Sequence, residues 1–121
     1  MTSEKDMQII CFDFDGVIHS YKSGWQGIDI IPDPVVPDIK ELIEELKKEG
    51  YVIKVFSARC RDPKGIKAIE DYLEKNNIEV DEVAKDKPPA IVTIDDRVIC
   101  FKGKVEGLKE QIIFFQPWTE V

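Results

Sequence analysis

The run Met7 to Phe12 is almost continuously apolar and stops at Asp13, with Asp15 and Gly16 close behind. An apolar run of this length without strict alternation reads as a strand buried on both faces and ending in a turn. From Ile39 the period changes: Ile39, Leu42, Ile43 and Leu46 follow helical spacing, with Pro37-Asp38 before them, Lys47-Lys48 in the last turn and Gly50 just beyond. Tyr51 to Phe56 then predicts a second buried strand, and Ile66, Ile69 and Leu73 a second amphipathic helix closed by Asn76-Asn77. A short strand is expected near Glu82 to Ala84 and another over Ala90 to Ile94, which stops at Asp95-Asp96.

Strands alternating with helices of this length pair in parallel through crossover connections. The expected fold class is therefore α/β, a three-layer α/β/α sandwich around a mainly parallel, Rossmann-like sheet. Ligands in such sheets bind beyond the carboxyl ends of the strands. In this reading Asp13, Asp15, Ser57, Asp95 and Asp96 all fall at that edge. Past Asp96 the pattern weakens. Arg97 to Phe101 reads as a strand or hairpin around Lys102-Gly103-Lys104, Val105 to Gln111 as a short helix, and Ile112 to Trp118 as an apolar tail for the sheet or an interface.

At 121 residues the chain suits one compact domain, residues 1–121, and is too short for two catalytic units. A formal charge of -7 argues against a broad hold on nucleic acid or an anionic membrane, both of which need clustered Lys and Arg. A phosphorylated partner stays open, because a metal and a few local cations outweigh the global field at one site. Cys11, Cys60 and Cys100 are odd in number and unclustered, so neither a disulfide framework nor a zinc site is indicated, and a reducing cytoplasm is expected. The polar start Met1 to Asp6 and the short apolar run behind it predict no signal peptide and no membrane span.

Two aspartates one residue apart would point to opposite faces if both stayed in a strand, so the turn at Gly16 must redirect the second. Asp-x-Asp-Gly alone is commonly a plain turn. Three later features give it chemistry. Ser57 ends the second strand, where its hydroxyl either donates to a phosphoryl oxygen or ties down the turn. Lys87, in Lys85-Asp86-Lys87-Pro88-Pro89, is a cation held by a rigid turn, with a solvated surface lysine as the alternative. Asp95-Asp96 sets two like charges side by side, which costs stability unless a cation compensates.

Together these residues resemble the haloacid dehalogenase-like (HAD) superfamily, in its phosphatase branch. The first motif matches Ile9 to Gly16, the second Val52 to Ser57, the third Lys87-Pro88 and the fourth Ile91 to Asp96, in that order and over Met7 to about Phe101. The resemblance implies an Asp13 nucleophile that forms an aspartyl-phosphate, and Asp15 as general acid and then general base. It implies magnesium (Mg2+) bound through Asp13, the backbone carbonyl of Asp15 and Asp96, with Asp95 assisting through water or a neighbouring bond. Ser57 and Lys87 would hold the transferring group. An acidic residue at position 15 favours phosphoryl transfer to water over the superfamily's dehalogenase and phosphonatase chemistries.

The gaps between motifs are too short for the cap domain of larger relatives. The site is therefore expected to be open, with residues 19–31 as a hairpin-like flap. His19, Tyr21, Lys22 and Trp25 stand there as substrate contacts or as ordinary packing, and Arg59, Arg61 and Arg97 as solvated or paired cations without an assigned catalytic role. A two-component receiver domain is the closest competitor, but it needs its acceptor aspartate after an interior strand that here ends in Ser57. A nucleotide-binding module lacks its Gly-x-x-x-x-Gly-Lys-Ser/Thr loop. A degenerate, inactive relative would have lost a motif carboxylate, and none is missing.

Overall fold

The computed structural model describes residues 8–120; Met7, at the start of the first expected strand, lies outside them. Four strands form one sheet in the order β3-β2-β1-β4, with every pairing parallel. They are β1 (Ile9–Phe12), β2 (Val52–Val55), β3 (Glu82–Val83) and β4 (Val92–Ile94). Helix α1 (Ile39–Lys48) connects β1 to β2, and α2 (Pro63–Lys75) connects β2 to β3. The chain is thus an α/β protein with a Rossmann-like parallel sheet, and neither connection carries a cap domain.

The helical spacing read from the sequence matches the packing at Ile39, Ile43 and Leu46, whereas Leu42, expected on the same face, is exposed. Ile10 and Phe12 of β1 and Ile53 and Val55 of β2 meet Ile39 and Ile43 of α1 and Ile69 and Leu73 of α2 in one core. Each such side chain contributes about 1.5–3 kcal/mol on full burial. Residues one position along the strands point the other way: Cys11 is buried, while Lys54 pairs with Glu82 at 3.1 Å. Tyr72 of α2 adds an edge-on contact to Phe14, with ring centroids 5.3 Å apart, and so ties α2 to the turn after β1.

Strand β4 is one edge of the sheet, and its Val92 and Ile94 remain exposed. Beyond it the structure departs from the sequence reading. Arg97 to Phe101 forms no strand. The helix expected over Val105 to Gln111 starts later, as α3 (Leu108–Ile113), and takes in part of the apolar tail. None of its residues is buried, so without core contacts its position follows Gly107 and local hydrogen bonds such as Gln111 N–H to the Gly107 carbonyl. A final 3-10 turn spans Trp118–Glu120. No helix among the described residues is long and apolar enough to cross a membrane.

Candidate active site

Parallel strands end at one edge of the sheet, so register decides which polar residues meet. Phe12 pairs with Ile94, and the Asp13 amide donates to the Ile94 carbonyl at 2.9 Å. That register brings Asp13, after β1, beside Asp95 and Asp96, after β4. One carboxylate oxygen from each of the three lies within 4.8 Å of the others, and all three residues are half-buried. Asp95 Oδ1 also accepts the Arg97 amide at 2.9 Å, which closes a small turn and fixes the pair.

Gathering three acids has an electrostatic cost. Burial, then the Asp95 charge, pushes the Asp13 carboxyl from 3.8 up to about 8. Asp96 is raised as well, mainly by burial. The donor set is entirely hard oxygen, which suits magnesium or calcium and not a thiolate-seeking metal.

The chain leaves β1 through a tight turn. The Phe14 carbonyl accepts the amides of Val17, Ile18 and His19 at 3.2, 2.9 and 3.0 Å, and Gly16 takes φ 83°, which a side chain rarely adopts. This turn redirects Asp15, as the sequence requires. Asp15 stands apart from the three-carboxylate group and is held from two sides: Oδ1 by His19 Nδ1 at 2.8 Å and Oδ2 by Arg59 Nε at 2.9 Å.

Both partners are fully buried. Arg59 also donates through Nη1 to the carbonyls of Gly27 and Ile28, at 2.7 and 2.9 Å, and lies over the Trp25 ring at 4.6 Å. Among the described residues its Nη2 has no hydrogen-bond partner. A buried guanidinium needs such anchorage, since a charge left unpaired away from water costs several kcal/mol.

Ser57 lies buried two residues past β2, and its Oγ accepts the Arg59 amide at 3.1 Å, capping the 3-10 turn Ala58–Arg61. Accepting that bond leaves the hydroxyl proton free to donate. Lys87 is exposed in the loop between β3 and β4. Its charge reaches Cys11, where it opposes the upward push of burial and of Asp13 on the thiol. The structure therefore gathers Asp13, Asp95 and Asp96, sets Asp15 in a separate clamp, and uses Ser57 as a cap.

Residues 19–31 form an irregular loop pinned at its base. Ser20 donates to the Pro34 carbonyl at 2.9 Å, and Val36 to the Ile18 carbonyl at 2.8 Å. Tyr21 is half-buried within it, its phenol raised by burial and by the Asp15 charge. Lys22 stacks on the Trp118 ring at 4.4 Å, and Trp118 Nε1 donates to the Gly16 carbonyl at 2.7 Å. His19, open in the sequence as a substrate contact or as packing, and Arg59, open as a cation near the site or as a solvated or paired one, are the residues that hold Asp15.

No family model matches the chain, and no curated protein matches it. Solved structures do. A conserved protein from Bacteroides thetaiotaomicron is 20% identical with a TM-score of 0.57, over 93% of this chain and 94% of that one. A chain of the Pnkp1/Rnl/Hen1 complex is 17% identical with a TM-score of 0.54; the match covers 93% of this chain and 35% of that one. At these identities the likeness is one of fold.

Proposed function

We propose that this protein is a magnesium-dependent phosphohydrolase of the HAD type, acting on a phosphomonoester through an aspartyl-phosphate on Asp13. The observation that carries the reading is the division of four carboxylates into two environments. Asp13, Asp95 and Asp96 share a space that calls for a cation, while Asp15 is held beside them by Arg59 and His19. The two groups differ in their partners: Asp13 faces two other carboxylates, and Asp15 faces two nitrogen donors.

In the first half-reaction an Asp13 carboxylate oxygen attacks phosphorus, the bond from phosphorus to the leaving oxygen breaks, and Asp15 gives that oxygen a proton. In the second, Asp15 takes a proton from water, the water oxygen attacks phosphorus, and inorganic phosphate leaves as Asp13 is regenerated. Asp13, Asp96 and the Asp15 backbone carbonyl, with Asp95 assisting, would hold magnesium, which would supply positive charge against the repulsion between anionic nucleophile and anionic substrate. The Ser57 hydroxyl proton and the Lys87 ammonium orient the transferring group. The loop 19–31 serves as the flap that shapes access to an open site. Three free cysteines suit a reducing cytoplasm.

The test is hydrolysis of 4-nitrophenyl phosphate by purified protein. Turnover that needs magnesium and disappears on chelation supports the reading. Asp13→Asn should abolish turnover, and full activity in that variant would sink the nucleophile assignment. Stoichiometric labelling by acetyl phosphate without release of phosphate would point to a receiver instead.

A further inference from the structure

His19 is the single histidine of the chain, and it is fully buried, with both ring nitrogens engaged. Its Nε2 accepts the Asp33 amide at 3.1 Å. A nitrogen that accepts a backbone N–H carries no proton, so the ring is the neutral tautomer protonated on Nδ1. That Nδ1–H donates to Asp15 Oδ1 at 2.8 Å. The ring is held in place by Phe14, at 5.7 Å between centroids, and by Tyr72, at 5.6 Å.

Asp33 is itself anchored. Its carboxylate accepts the Ser23 amide at 2.7 Å and the Ser23 hydroxyl at 2.6 Å, and its carbonyl accepts Tyr72 Oη at 2.9 Å. An unbroken path of hydrogen bonds therefore runs from Ser23 in the loop, through Asp33 and His19, to Asp15. Ser23 is exposed at one end of this path, and the proton-carrying carboxyl lies at the other.

We propose that His19 is a positioning residue for Asp15, and that the loop 21–33 sets the orientation of that carboxyl through Asp33. The proposal rests on the phosphohydrolase reading. A carboxyl that protonates a leaving oxygen must present a proton along one direction, and free rotation of its side chain would scatter it. One donor on each Asp15 oxygen, His19 on Oδ1 and Arg59 on Oδ2, fixes the carboxyl plane and leaves each oxygen a second lone pair for the proton in transfer. His19 touches no reacting atom in this scheme; it acts through Asp15.

The experiment uses a series of aryl phosphates with leaving groups of rising basicity, from 2,4-dinitrophenyl to phenyl phosphate. The first leaving group departs without a proton and the last needs one. General acid help is worth about 10²–10⁴-fold, so His19→Ala should lower kcat/KM, which ends at departure of the leaving group and excludes the later water step, by about 10–100-fold for phenyl phosphate and by less than about threefold for the dinitrophenyl ester. His19→Asn keeps an N–H close to where Nδ1 stood and should recover most of the loss. Ser23→Ala, at an exposed position, should steepen the leaving-group dependence in the same direction by a smaller factor.

Equal losses of kcat/KM across the series would mark His19 as a packing residue and overturn the proposal. Should His19→Ala fail to fold, the Ser23→Ala profile decides: a flat profile overturns the link through Asp33. Imidazole ¹⁵N chemical shifts of the wild type give a readout apart from activity, with the single histidine expected to show a protonated Nδ1 and an unprotonated Nε2. An Nε2–H tautomer or an imidazolium at neutral pH would overturn the geometry. A wild type without any magnesium-dependent turnover removes the phosphohydrolase reading and this proposal with it; an active wild type with a flat His19→Ala profile removes this proposal alone.

Discussion

Gly16 and Asp96 are packed so closely that a Cβ on the glycine would overlap the aspartate's carboxylate. The turn after β1 and the acidic pair after β4 are therefore fitted to each other, and Gly16 is required both by its φ of 83° and by this approach. Gly16→Ala is expected to lose about 1–2 kcal/mol from the left-handed backbone alone. It should also push Asp96 out of the carboxylate group and weaken metal binding about 10–100-fold, as loss of a neighbouring support does at metal sites. Thermal unfolding together with magnesium titration separates the two effects.

The raised Asp13 carboxyl links metal binding to pH. In the metal-free protein the folded state holds a proton that the unfolded chain has released above 3.8, so this group favours folding at acid pH. The contribution declines as pH climbs from 3.8 towards about 8. A bound cation requires the carboxylate and displaces the proton. Magnesium should therefore raise the melting temperature more at pH 7.5 than at pH 5.5, and calorimetry in buffers of different ionisation enthalpy should show proton release on binding near neutral pH. A magnesium effect that is constant across this window would contradict the coupling.

Gly65, in the first turn of α2, meets the backbone carbonyl of Arg59 so closely that a Cβ there would collide with it. The collision is with backbone, so relief requires the 3-10 turn Ala58–Arg61 to shift. Gly65→Ala should cost about 1–3 kcal/mol, the range for overpacking a well-filled interior. Because Arg59 holds Asp15, kcat should fall as well, although position 65 is remote from the chemistry. Unchanged kcat in a destabilised variant would show that the Arg59 anchor tolerates the shift.

Trp118→Phe keeps a ring for Lys22 and removes the N–H that reaches the Gly16 carbonyl. A single hydrogen bond of this kind contributes about 0.5–1.5 kcal/mol, and the partial exposure of Trp118 favours the lower end. Chemical denaturation should show a lower midpoint with an unchanged slope.

Much of this architecture can be read from spacing. Ile39, Ile43, Ile69 and Leu73 were expected on the buried faces of two helices and are found in the core. The acidic positions were expected at the carboxyl ends of strands, and the register of β1 against β4 brings three of them together. Arg59 and His19 were harder, since nothing in a lone arginine or histidine shows that it is buried. Arg59 depends on Asp15, 44 positions away, and on the Gly27 and Ile28 carbonyls, 32 and 31 positions away. Those partners become visible only when the loop closes over the turn. After Asp96 the signal failed for a different reason: apolar residues there, such as Val98, Phe101 and Phe114, stay exposed, so hydrophobic periodicity no longer reports a buried face.

The bond from Trp118 to Gly16 spans 102 positions. Loop closure over such a separation costs only slowly growing entropy, so its thermodynamic burden is modest. Its consequence concerns timing. A ribosome delivers β1 and its aspartates early, yet the clasp on their turn waits until the chain has been made past Trp118. For a growing polypeptide, the turn that follows Asp13 and carries Asp15 gains this clasp only once the 102 positions that separate Gly16 from Trp118 have been made.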